Sequence, residues 1–176
     1  MSYAITLTGF ALVIAAVLGG YAVNLSYPAA RLRLMSALRI SVNQAEIMCR
    51  AAKHTFYEPI GSAIKTGAMV PVLDINIISM TTKPGYDAAV MQVKMHWKKL
   101  YGRGKKGIAL VIAGLAIAIA VKTSPILHII VAVISIGAGI WFVVTKNDNE
   151  RSLVRARGEL LPELDRAFAE GRYLRG

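Results

Sequence analysis

The sequence predicts a mainly α-helical integral membrane protein. It has three transmembrane helices, one amino-terminal and two in a carboxy-terminal hairpin, and a small basic, mostly helical cytoplasmic segment with one candidate β-strand. Three observations carry this reading. Of 176 residues, 55% are apolar and 18% charged, against about 45–50% and about 25% in soluble domains. The apolar residues gather into three runs, and the mean hydropathy is +0.50. Lysine and arginine number 21 against 10 acidic residues, a net charge of +11. The single cysteine, Cys49, excludes an internal disulfide framework and a cysteine-based zinc cluster. Intrinsic disorder would need low hydrophobicity together with high charge, and is excluded as well.

The first run, residues 3–25, contains no charged side chain and matches a hydrocarbon core of about 30 Å at about 1.5 Å per residue. With no lysine or arginine before it and a poor cleavage context after it, it reads as a retained anchor rather than a cleaved signal. The second run, residues 107–121, lies between Lys105, Lys106 and Lys122. It covers only about 23 Å, which snorkelling lysines and local bilayer thinning can accommodate. The third, residues 126–144, follows Pro125, which is well placed at a helix start because its missing N–H is no loss there. Residues 107–144 therefore form a helical hairpin, and residues 1–25 the first span.

Orientation follows from charge. Residues 26–106 carry thirteen basic and four acidic residues, while the amino terminus carries no side-chain charge and the hairpin turn only Lys122. The positive-inside rule places residues 26–106 and the tail, 145–176, in the cytoplasm, with the amino terminus and the hairpin turn outside. The expected location is a bacterial-type inner membrane.

Within the middle segment, residues 28–54 read as one amphipathic helix, with Met35, Leu38, Val42, Ala45, Cys49 and Ala52 in a single stripe. That stripe can lie on anionic lipid, dock on a partner, or cover the rest of the same domain. Residues 68–82 are rich in β-branched residues and alternate like a strand, and Lys83-Pro84-Gly85 reads as a turn. Such a strand would pair with residues 61–66 or with another chain, or the stretch would lie extended on the membrane surface. Residues 87–101 read as a second helix ended by Gly102. Arg31, Arg33, Lys98, Lys99, Arg103, Lys105 and Lys106 flank the spans as expected of contacts to an anionic phospholipid surface. In the tail, Asn147, Asp148 or Asn149 would cap a helix that breaks between Gly158 and Pro162, with Leu160, Leu161, Leu164 and Phe168 on one face, either a docking element or a solvated tail.

Few residues suggest chemistry. Cys49, His54 and Glu58 are close in sequence but lack the repeated pair of a metal site. His128 is the one titratable side chain well inside a span, and is expected near its outer end, within reach of headgroups or water. The spans hold no Asp or Glu, which disfavours a proton-driven machine acting alone. The run 102–107 lacks phosphate-loop spacing. No cofactor is expected. Nucleic acid is a poor fit, because the basic residues are dispersed and aromatics do not interleave with them.

Small residues mark helix packing: Gly114 and Ala118, Ala116 and Ala120, Ala15 and Gly19, and Gly137 with Gly139. In hydropathy, without a shared motif, residues 105–146 resemble the two-helix hairpins of type IV secretion pilins, and no function is carried over from that resemblance. The expected role is a non-enzymatic structural or accessory subunit of a multi-protein membrane assembly, of secretion, conjugation or energy-transducing type. Its partners would be other subunits of the complex. The alternatives are a self-associating, homo-oligomeric scaffold and, third, an enzyme or channel component using His128.

Overall fold

The computed structural model describes residues 1–21, 27–71 and 73–173. It is mainly α-helical, with no strand among the described residues. In order, the helices are α1 (Ser2–Tyr21), α2 (Tyr27–Ile40), α3 (Val42–Arg50), α4 (Tyr57–Ala68), α5 (Ile75–Ala120) and α6 (Ile126–Ala169). Two stretches are long and apolar enough to cross a membrane, Ser2–Gly20 and the helix Ile126–Ala169. The chain divides into two compact units, Met1–Asn24 with Trp97–Asn147, and Leu25–His96 with Asp148–Gly176.

Several local expectations are corrected. The expected strand over residues 68–82 is not found among its described residues: Ala68 ends α4 and Ile75 begins α5, while residue 72 lies outside the described residues. The Oδ1 of Asp74 accepts a hydrogen bond from the backbone N–H of Asn76 at 2.7 Å, the arrangement that satisfies an orphan donor at a helix start. From there the isoleucines follow the helix, Ile78 buried while Ile75 and Ile77 are exposed. Lys83-Pro84-Gly85 is likewise no turn. Gly85 lies inside α5 because α4 passes close to it: an added Cβ would sit 2.6 Å from Thr66 Oγ1, and the Ser62 hydroxyl donates to the Gly85 carbonyl at 3.0 Å.

The expected helix over 87–101 is therefore the middle of α5, and Gly102 does not end it. Pro162 does not break α6 either. A proline inside a helix orphans the carbonyl four residues earlier. Met80 and Gly158, the residues in question, are both exposed, as are Pro84 and Pro162, so water can satisfy what the proline leaves open. Conversely, the expected helix over 28–54 is divided. Ser41 is extended (φ −162°) and its side chain accepts from the Asn43 N–H, an N-cap that starts α3 afresh.

In the first unit the three helical stretches pack through one spacing. On α1 the buried positions are Ser2, Thr6, Gly9, Val13, Ala16 and Gly20; on α5, Trp97, Leu100, Gly107, Val111, Gly114 and Ala118. On α6 they include His128, Val131, Ser135, Phe142 and Thr145. Alternating steps of four and three keep one face of a helix toward its neighbours, the pattern of left-handed bundles.

The second unit closes around the α2–α3 stripe. Leu38, Val42, Ala45 and Cys49 are buried, and α3 packs on both α2 and α4, so the stripe covers its own domain. Buried polar links tie α5 to α6 inside this unit. The Tyr86 hydroxyl donates to the Leu153 carbonyl at 2.6 Å, and Thr82 Oγ1 donates to Asp165 Oδ1 at 2.7 Å.

Candidate functional site

Glycines let the helices of the first unit approach closely. A Cβ on Gly107 would lie 2.6 Å from the Gly9 carbonyl oxygen, and one on Gly9 would lie 2.7 Å from the Gly107 carbonyl. One turn-pair further on, a Cβ on Gly114 would collide with Thr6 Oγ1. These contacts set α1 antiparallel to α5, with Gly19 reaching Leu100 at the other end. Gly114 stands at one of these contacts, and Ala118 is buried. Gly139 meets only the tip of Ile108, and a Cβ on Gly137 would meet nothing within 4 Å among the described residues. Ala15, Ala116 and Ala120 are exposed. Sequence reasoning missed Gly9 and Gly107; the signal was there in the seven-residue step from Gly107 to Gly114.

His128 is not at the surface. It is 0% exposed, its ring lies 4.6 Å from that of Tyr3, and neither ring nitrogen has a hydrogen-bond partner among the described residues. One heptad along the same face, Ser135 is equally buried and its hydroxyl equally unpartnered. On α1 the buried Thr6 turns its hydroxyl back to the Ser2 carbonyl at 3.1 Å. The inward face of this unit therefore carries a thin polar seam in an apolar setting, where unsatisfied groups cost about 1–3 kcal/mol each.

At the other end of the same unit the charge gathers. Lys98, Lys99, Arg103, Lys105 and Lys106 are all exposed. The Lys105 ammonium sits 4.7 Å from the centre of the Tyr101 ring and that of Lys146 5.8 Å from it. Tyr101 also stacks on Phe142, at 6.3 Å and 10°. Beside this cluster an apolar groove of about 430 Å³ runs between Val13, Val17, Gly104, Ile108, Ala138 and Val143.

The other sequence candidates lie in the second unit. Arg31 is held there by an ion pair with Glu159, 2.5 Å, while Arg33 is exposed. Cys49, His54 and Glu58 do not make a metal centre; no group of three suitable ligands occurs among the described residues. Burial pushes the Cys49 thiol up to about 12, with Glu46 adding to it, so it stays protonated. His54 takes a left-handed turn (φ 63°) after α3. Glu58 Oε2 accepts from its backbone N–H at 2.6 Å, and its ring stacks on His96 at 3.6 Å.

Along α5 in this unit, Ile77, Met80, Met91 and Met95 stand exposed, and their spacing lines them up with Pro84 and Ala88 in one apolar stripe. Compared with protein-family models, curated proteins and solved structures, the chain matches none of them.

Proposed function

We propose that the chain is a non-enzymatic structural or accessory subunit of a multi-protein inner-membrane assembly, of the secretion, conjugation or energy-transducing kind. It would be anchored by three crossing helices, the third being the apolar end of α5 from Gly107 to Ala120. That stretch is short for a span, but it packs antiparallel to α1 through Gly9–Gly107 and Thr6–Gly114. The Tyr3–His128 contact brings the amino terminus beside the start of α6. Both relations fit an amino terminus and a hairpin turn on one side of the bilayer and the basic end on the other.

The single observation that carries the subunit reading is the exposed stripe of Ile77, Met80, Met91 and Met95, of which Met80 is 78% exposed. It lies outside the apolar spans, and methionine surfaces adapt to partner proteins. An exposed apolar face of this length marks an interaction site. The test is gentle extraction from native membranes through a carboxy-terminal tag, followed by size-exclusion and mass spectrometry, with Met91→Asp/Met95→Asp alongside. Unrelated proteins that travel with the chain at fixed ratios, and are lost in the double variant, support the reading. A uniform homo-oligomer would make the stripe a self-association face instead, and a lone monomer would sink both.

A further inference from the structure

We propose that the polar cavity formed by α3, α4 and α5 within the second unit binds a small dicarboxylate, with Lys53 at one end of the guest and Lys65 at the other. The cavity measures about 450 Å³, within the range of built ligand pockets, about 300–1,000 Å³. It exists because small side chains make its floor. Cys49 and Ala89 are each 5% exposed, and a Cβ on Gly61 would lie 3.1 Å from the Cys49 Cβ. That contact also fixes where the lysines stand. Lys53 lies four residues past Cys49, in the turn that joins α3 to α4, and Lys65 four residues past Gly61, toward the far end of α4. The two lysines therefore stand on opposite sides of the contact, and both line the cavity.

Charge identifies the guest. Glu46, Glu58 and Arg50 also line the cavity, but both carboxylates are engaged. Glu46 Oε1 accepts from Arg50 Nη2 at 2.7 Å, and Glu58 Oε2 accepts from the His54 backbone N–H at 2.6 Å. Lys53 and Lys65 have neither an ion pair nor a side-chain hydrogen bond among the described residues, and both are exposed. What the cavity leaves unpaired is thus one ammonium group at each end. A carboxylate brings one negative charge and takes charge-assisted hydrogen bonds from an ammonium, so a guest with an acid group at each end matches the cavity. A phosphomonoester at each end would bring about −1.5 to −2 apiece, more than the two lysines offset beside two carboxylates. No aromatic ring lines the cavity among the described residues, which leaves a nucleobase nothing to stack on.

The full chain in non-ionic detergent is titrated by calorimetry at constant ionic strength. The probes are succinate, glutarate and adipate, each against the monocarboxylate of matched chain length: butyrate, valerate and hexanoate. The expected result is a dicarboxylate bound about tenfold or more tightly than its matched monocarboxylate, because the second acid group adds a hydrogen bond between charged partners. Lys53→Gln and Lys65→Gln, each alone, should bring that dicarboxylate down to the level of the monocarboxylate. Ala89→Phe should remove binding of the whole series, and Gln92→Trp, which fills the cavity from its exposed rim, serves if Ala89→Phe does not fold. Lys83→Gln/Lys94→Gln changes two exposed lysines outside the cavity and should bind like the parent chain.

Equal binding of every dicarboxylate and its matched monocarboxylate would overturn the proposal, and so would binding by none of them. A preference that survives the loss of either lysine would do the same. So would one that Lys83→Gln/Lys94→Gln also loses, because net charge rather than the site would then explain it. Fructose 1,6-bisphosphate binding more tightly than every dicarboxylate would overturn the choice of carboxylate. None of these outcomes touches the subunit reading, which rests on the methionine stripe.

Discussion

Lys122 occupies a position that usually belongs to glycine. It has φ 55°, its N–H donates to the Ile119 carbonyl at 3.1 Å, and the Thr123 N–H donates to the Ala118 carbonyl at 3.0 Å. This is the doubly bonded helix end in which the left-handed residue is commonly Gly. Lys122→Gly should therefore raise thermal stability in detergent by about 1 kcal/mol; a loss of stability would contradict the cap. The same bonding recurs after α6, where Arg172 N–H meets the Ala167 carbonyl and Gly171 N–H the Phe168 carbonyl. There a glycine with φ 72° does the turning.

Asp165 gives a pH signature. Burial holds its carboxyl above the ordinary 3.8, against hydrogen bonds from Thr82 and Ser79 and the Lys83 charge, which lower it. A raised carboxyl means the folded chain holds its proton more tightly than the unfolded chain. Its contribution is then present below pH 3.8 and lost as pH rises through the raised value. Asp165→Asn keeps an oxygen for Thr82, so it should be more stable than the parent at pH 7 and show a flatter stability profile above pH 4. A melt series from pH 4 to 8 reads both; a variant less stable at pH 7 would contradict the assignment. At His128, which carries unpartnered nitrogens in an apolar face, substitution by Leu should leave thermal stability unchanged or higher.

At the scale of elements, the helices were legible where periodicity or apolar run length speaks plainly, and illegible where a local signal has a tertiary cause. The two proline–glycine neighbourhoods look like breaks in sequence. In the fold Gly85 is there to admit Thr66, and Pro84 and Pro162 sit on exposed helix faces. Residues 70–80 alternate like a strand, yet the Asp74 cap ahead of the isoleucines was a helix signal of equal standing. The apolar runs pose a different difficulty. They are apolar on every side, so hydropathy cannot say which face packs; only the small and hydroxylated residues at steps of four and three can. Ser2, Thr6, Gly9 and Ala16 carry that information in α1, and Gly107, Gly114 and Ala118 in α5. Gly114→Leu, driven into Thr6, should cost about 1–3 kcal/mol or force the helices apart, whereas Gly137→Leu should cost almost nothing. Equal melting of the two variants would contradict the packing face.

For the whole molecule, composition and charge were the most informative properties, because membrane insertion depends on runs and flanks rather than on contacts. The net charge of +11 is concentrated between the apolar runs, and the glycine contacts of the first unit set α1 antiparallel to the end of α5. The groove and the lysine pair on Tyr101 were not legible, since they join residues from three separated stretches of chain. The burial of His128 was hidden for the same reason: Tyr3 closes over it from the far end of the sequence.

The proposed three-crossing topology is open to a direct test. The measurement is cysteine accessibility in sealed native vesicles, in a Cys49→Ala background so that the one natural thiol is absent. Ser124→Cys, in the turn after α5, and Ser152→Cys, in α6 beyond the apolar run, take an impermeant maleimide, and an amino-terminal epitope tag is scored for protection. The expected result is Ser124→Cys and the tag on one side, with Ser152→Cys reacting only from the other. Ser124→Cys and Ser152→Cys reacting from the same side, or a chain released by alkaline carbonate, would contradict it.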